Sequence, residues 1–150
     1  MNTFDFTVGT TLPPERAFDV ATDWHAHSRL PLTTVYVKGT GRGVGARFVG
    51  RTGVGRLSFD DPMEVVEWSE PSDGGKGHCR LVKTGKVVYG GATIDVTPGA
   101  AGGSVVSWRE TADLAVGWLN TLLGPAIRLG APVVFRWVLR TALRKAERGS

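Results

Sequence analysis

The residues of this chain that could carry chemistry are few, and Glu110 is the foremost. In Val105-Val-Ser-Trp-Arg-Glu-Thr-Ala, a period of two puts Val106, Trp108, Glu110 and Ala112 on one face of a strand. Val105, Ser107, Arg109 and Thr111 take the other. The first face is the more apolar, so Glu110 is expected to project from the buried side. A buried carboxylate either pairs with a cation or takes up a proton, which suits it to acid/base work or to orienting a ligand. A structural pair with an arginine near a rim is the competing reading. His25, Tyr36 and Tyr89 are the other groups able to move a proton, and none of them belongs to a motif.

Other constellations point away from chemistry. His25 and His27 lie two apart beside Asp23, a spacing that separates them on a helix, so a shared metal is not expected and both are assigned to an exposed polar face. His78 stands alone. No metal-ligand cluster and no Ser-His-Asp arrangement is legible, and no cofactor is expected. Gly39-x-Gly41-x-Gly43-x-Gly45 has the density of a phosphate loop, but such a loop opens a helix. Here Ala46-Arg-Phe-Val-Gly-Arg reads as a strand and no Gly-Lys-Ser/Thr follows, so the run is a hairpin connection. The single cysteine, Cys79, excludes an internal disulfide framework and reads as a small half-buried strand residue.

Strands must hold these residues, and most of the chain reads as strands. At 150 residues, 41% hydrophobic and 21% charged, it fits one globular domain over 1–150. Phe4, Phe6 and Val8 alternate with polar neighbours. Pro13 and Pro14 then suit the start of a short helix carrying Ala17, Phe18 and Ala21 on one side. Asp23 can cap a second short helix, Trp24 to Leu30, ended by Pro31. Strands follow at Leu32–Lys38, Ala46–Arg51, Leu57–Phe59, Met63–Glu70, His78–Thr84, Val87–Thr97 and Ser104–Leu114, with a turn expected at Asp61-Pro62. Short Gly/Pro links between consecutive strands imply an antiparallel meander with one buried face.

The C-terminal stretch supplies the cover. From Val133, a 100° step places Val134, Phe135, Val138, Leu139, Ala142, Leu143 and Ala146 on one arc, opposite Arg136, Arg140, Arg144, Glu147 and Arg148, with Trp137 beside the arginines. Gly124-Pro125 and Gly130-Ala-Pro132 predict a bend or restart near 130–132, a place for a movable lid. Arg128 and Arg136 interrupt the ~20 apolar residues a transmembrane span needs. Residues 1–113 hold 12 Lys/Arg against 13 Asp/Glu, whereas 114–150 hold 6 against one, so the whole basic excess lies in this stretch. A nucleic-acid footprint would be spread over a face with aromatics, and none is expected. No secretory leader is legible at the N-terminus, and the expected compartment is the cytoplasm.

An α+β order of strand, two short helices, a run of strands and one long helix resembles the helix-grip fold of the START-like (SRPBCC) superfamily, which includes polyketide cyclases/aromatases, lipid-transfer domains and pollen allergen-like proteins. Leu12-Pro-Pro-Glu-Arg-Ala-Phe-Asp-Val resembles the opening strand-to-helix junction of the polyketide cyclase/dehydrase-like branch. Gly43-Val-Gly-Ala-Arg-Phe is similar to its entry to the second long strand, and Val105-Val-Ser-Trp-Arg-Glu to its closing strand. The resemblance implies a curved antiparallel sheet of about seven strands and a deep apolar pocket between it and the long helix. Trp24, Phe48, Trp108, Phe135 and Leu139 are the candidate wall, Glu110 the candidate polar group, and Gly50, Gly90 and Ala92 the small residues that leave the gap open. Three functions follow as expectations. The first is binding of a hydrophobic small molecule such as a lipid or polyketide; the second, a cyclase/aromatase-type enzyme using the same cavity. The third is peripheral docking of Arg136, Arg140 and Arg144 to a membrane or an acidic partner.

Overall fold

The computed structural model describes residues 1–30 and 32–149. Seven strands form one antiparallel sheet: β1 (Thr3–Thr10), β2 (Thr33–Lys38), β3 (Arg47–Val54), β4 (Leu57–Ser69), β5 (Gly77–Lys83), β6 (Val88–Pro98) and β7 (Ser104–Leu114). Their spatial order is β1-β7-β6-β5-β4-β3-β2. Six consecutive strands form the expected meander, and β1 closes its far edge by pairing with β7, Phe4 opposite Glu110. Between β1 and β2 come α1 (Pro14–Ala21) and a 3-10 turn over Trp24–Arg29. Pro13 and Pro14 start α1 where a proline's missing N–H is no loss. Asp23 sits at the N-cap of the 3-10 turn but makes no side-chain capping bond. The expected stop at Pro31 lies outside the described residues.

The turn expected at Asp61-Pro62 is absent, and Leu57 to Ser69 is one long strand. Pro62 is tolerated because β4 there runs past the end of β5. The Pro62 carbonyl accepts from Thr84 N at 2.9 Å, and no strand neighbour waits for the amide hydrogen that proline lacks. The glycine run does make a turn. Gly41 has φ +71°, and a Cβ there would lie 2.9 Å from Val37 Cγ1 and 3.1 Å from Trp24 Cδ1.

The C-terminal helix, α2, runs unbroken from Gly117 to Arg148, so the restart expected near Gly130–Pro132 does not occur. Pro125 and Pro132 lie inside it. Each frees the carbonyl four residues back, on Thr121 and Arg128; both residues are exposed, where water can take the place of the lost hydrogen bond. The two halves of α2 meet different surroundings. Leu139 and Leu143 pack with Phe18, Ala21, Ile94 and Val106 in a filled core. The first half of α2 covers a hollow instead.

Candidate ligand-binding cavity

The hollow is a cavity of about 480 Å³ between the sheet and α2. Leu119, Leu123, Ile127, Ala131 and Phe135, at helical spacing on α2, form its roof. Phe4, Trp24, Phe48, Met63, Leu81 and Trp108 are among the side chains below them. Trp24 is fixed at both ends of its ring system. Its indole stacks on Phe48 with centroids 4.5 Å apart, and its Nε1 donates to the Gly41 carbonyl at 2.7 Å. Phe135 bridges roof and floor, with ring centroids 5.5 Å from Phe4 and 6.2 Å from Trp108.

One polar cluster interrupts this apolar wall. Ala92 stands opposite Glu110 in the β6–β7 register and opposite Leu81 in the β5–β6 register. Its methyl group is short enough for Lys83, two residues after Leu81, to reach across to β7. Lys83 Nζ lies 2.7 Å from Asp61 Oδ2 and 3.2 Å from Glu110 Oε1, and its side chain is 3% exposed. Trp108 Nε1 donates to Glu110 Oε2 at 3.0 Å. Asp61 Oδ1 is buried without a partner. Burial opposes the charge on Lys83, but Glu110 and Asp61 outweigh it and hold its ammonium above the ordinary lysine range. Burial pushes the Asp61 carboxyl up, against the pull of Lys83.

His27 lines the same cavity, its ring 5.2 Å from that of Trp108 and 6.3 Å from that of Phe135. Burial holds the imidazole below its ordinary pKa, against the nearby Glu110 charge. The Asp23 and Trp24 carbonyls also favour a ring proton, yet Nδ1 has no hydrogen-bond partner of normal geometry. Among the described residues, no group of three or more His, Cys, Asp and Glu is placed to hold a metal ion.

Of the residues expected in the wall, Trp24, Phe48, Trp108, Glu110 and Phe135 come together here. Leu139 does not. It faces the filled core one turn beyond the cavity. Gly50 and Ala92 line the hollow, but Gly90 does not; its φ of +127° and a Cβ position 2.0 Å from the Thr111 carbonyl oxygen account for the glycine. His25, Tyr36 and Tyr89 are exposed and away from the cavity. The cation beside Glu110 is a lysine, where an arginine was the alternative. His27, assigned from its spacing to an exposed face, points inward because it stands three residues after the buried Trp24, which puts both rings on one side of the turn. Lys83 was legible as the third inward position after Cys79 and Leu81. Asp61 was hidden by the false turn.

A curved antiparallel sheet gripping one long helix over a mainly apolar cavity defines the helix-grip fold. A family model described as "Polyketide cyclase / dehydrase and lipid transport" matches residues 1–148, and the chain belongs to that family. Comparison with curated proteins finds no match. Among solved structures, one from Thermus thermophilus is similar at a TM-score of 0.72 and 16% identity, covering 96% of this chain and 98% of that one. Norcoclaurine synthase from Thalictrum flavum, solved with a transition-state analogue, gives 0.64 at 14% identity, over 97% and 95%. The di-domain ARO/CYC protein of the steffimycin biosynthetic pathway gives 0.65 at 15% identity, over 99% of this chain and 52% of that one. At such identities these likenesses show the shared fold. Family and fold support a ligand-binding or polyketide cyclase-like role in general.

Proposed function

We propose that the protein binds a hydrophobic small molecule, lipid- or polyketide-like, in the cavity beneath the first half of α2. The observation that carries this reading is the cavity itself, about 480 Å³ of space in a domain that otherwise fills its core. Burial of the ligand's apolar surface supplies the affinity at about 25 cal/mol per Å². The polar cluster sets its chemistry. Lys83 is already held by two carboxylates, and Asp61 Oδ1 lacks a donor. Such a wall wants a hydroxyl or amine and repels a carboxylate. The test is native mass spectrometry and solvent extraction of the purified protein, followed by titration with a long-chain alcohol and the fatty acid of equal length. A co-purified hydrophobe and tighter binding of the alcohol are expected. A protein that neither carries nor takes up either compound would end the proposal.

A second reading is a cyclase-type enzyme. It is favoured by the presence of one cation, two carboxylates and an imidazole in an apolar, aromatic-lined space, where proton transfer between fixed groups is effective. Glu110→Gln separates the two. It lowers turnover of a polyketide-like substrate under this reading and leaves apolar binding nearly unchanged under the first.

A further inference from the structure

The first half of α2 is apolar on both faces. Its inner face roofs the cavity, while Trp118, Leu122, Leu129, Val133 and Trp137 face solvent. Trp118, Leu129 and Trp137 are 71%, 76% and 58% exposed. Intervals of four, seven, four and four residues keep the five on one ridge, about 28 Å long at 1.5 Å per residue. Single exposed apolar residues need no cause, but a continuous ridge on an apolar helix does. By length and composition α2 could cross a membrane despite its arginines, and little of its most apolar stretch is buried in the domain.

The same outer face then changes character. Arg140 and Arg144 follow, with Lys145 and Arg148 nearby, on a stretch whose net charge is +5 while residues 1–113 carry −1; Arg136, beside Trp137, donates to the Thr7 carbonyl at 3.2 Å. The acid among them, Glu147, is engaged by Thr10 Oγ1 at 2.7 Å. Arg128, by contrast, donates to Asn2 Oδ1 at 2.7 Å, tying the helix to the residue before β1.

We propose that the outer face of α2 docks on a bilayer bearing anionic lipids. The Trp118–Trp137 ridge sinks to the boundary of headgroups and acyl chains, and Arg140 and Arg144 meet the phosphates. Tryptophans at both ends of an apolar ridge suit the interfacial layer, and an adjoining basic run suits a negative leaflet. A purely acidic partner would leave the ridge uncovered. The helix lies along the surface and does not span it, because its inner face remains the roof of the cavity. One helix then separates the cavity from the hydrocarbon, which gives an apolar ligand a route that avoids water. The docking itself stands whatever occupies the cavity.

Vesicle sedimentation tests this directly, with phosphatidylcholine alone against phosphatidylcholine mixed with phosphatidylglycerol. Binding is expected to the mixed vesicles, about tenfold or more above the neutral ones, and to fall as salt rises. Trp118→Ser with Leu129→Ser should weaken it about tenfold with circular dichroism and thermal unfolding unchanged, since both side chains are exposed. Arg140→Glu with Arg144→Glu should weaken it as much and reduce its salt dependence. Failure to bind mixed vesicles overturns the proposal, as does unaltered binding by the ridge variants. So does a dimer, seen by light scattering, that those ridge substitutions dissociate, because the ridge would then be covered by a second copy.

Discussion

At the scale of single residues, the cavity's behaviour turns on Lys83. Its ammonium is shared by Asp61 and Glu110 with almost no contact to water, so the three side chains are stable only together. Lys83→Met leaves two buried carboxylates without their cation, and a loss of about 3–5 kcal/mol is expected in urea unfolding. Adding Asp61→Asn and Glu110→Gln to that variant should recover most of it, since no uncompensated charge remains. Two histidines make an opposed pair of pH predictions. His27 is held below its unfolded value of 6.5 by burial, so the unfolded chain binds the extra proton and stability falls as pH drops below about 6.5. His78 is held above 6.5 by Asp95, 2.6 Å from its Nδ1, and by Glu67. Its contribution is complete below 6.5 and is lost as pH rises through its folded value. His27→Gln should therefore flatten the acid side of the stability profile and His78→Gln the alkaline side, the second effect being small because the pair is open to solvent. Parallel profiles for both variants and the parent would refute the assignment.

At the scale of elements, α2 is built against its own propensity. Pro125 and Pro132 stand within a 32-residue helix that continues through both of them. A proline in a helix interior costs about 3 kcal/mol, offset by up to about 1 kcal/mol through restriction of the unfolded chain. Pro132→Ala should then raise unfolding stability by about 2 kcal/mol in urea titrations and slow amide exchange along residues 121–132. A neutral or negative change would mean that the roof of the cavity depends on that proline. How much of this was legible differs by element. Alternation placed β1, β5 and β7 and the inward set from Val106 through Glu110 to Ala112, because period two survives in any half-buried strand. It failed at β4, where Asp61-Pro62 has the chemistry of a turn but stays paired with β3 while β4 runs past the end of β5. It failed too at His27, since the two-residue step from His25 does not say which face is buried, whereas the three-residue step from Trp24 does. The continuity of α2 was hidden for a related reason: two prolines are local signals, and the packing of Val138, Leu139 and Leu143 that overrides them is not.

At the scale of the whole molecule, the domain is asymmetric. Filled packing joins α1 to the second half of α2, and the hollow lies under the first half, so stability and binding occupy different ends of one helix. A substitution can accordingly remove binding without unfolding the protein. Ala131 lies in the roof, half-buried, and Ala131→Phe extends a ring into space that holds no side chain. Because that space is a cavity and not packed core, the overpacking cost of about 1–3 kcal/mol should not arise. The parent, mixed with a hundredfold excess of ligand over its Kd, should gain about 2.7 kcal/mol of stability by mass action. Ala131→Phe should match the ligand-free parent in thermal unfolding and gain nothing from the same ligand. If the variant instead unfolds early, the roof is packed more tightly than the hollow implies. If it is stabilised as fully as the parent, the ligand sits elsewhere than beneath α2.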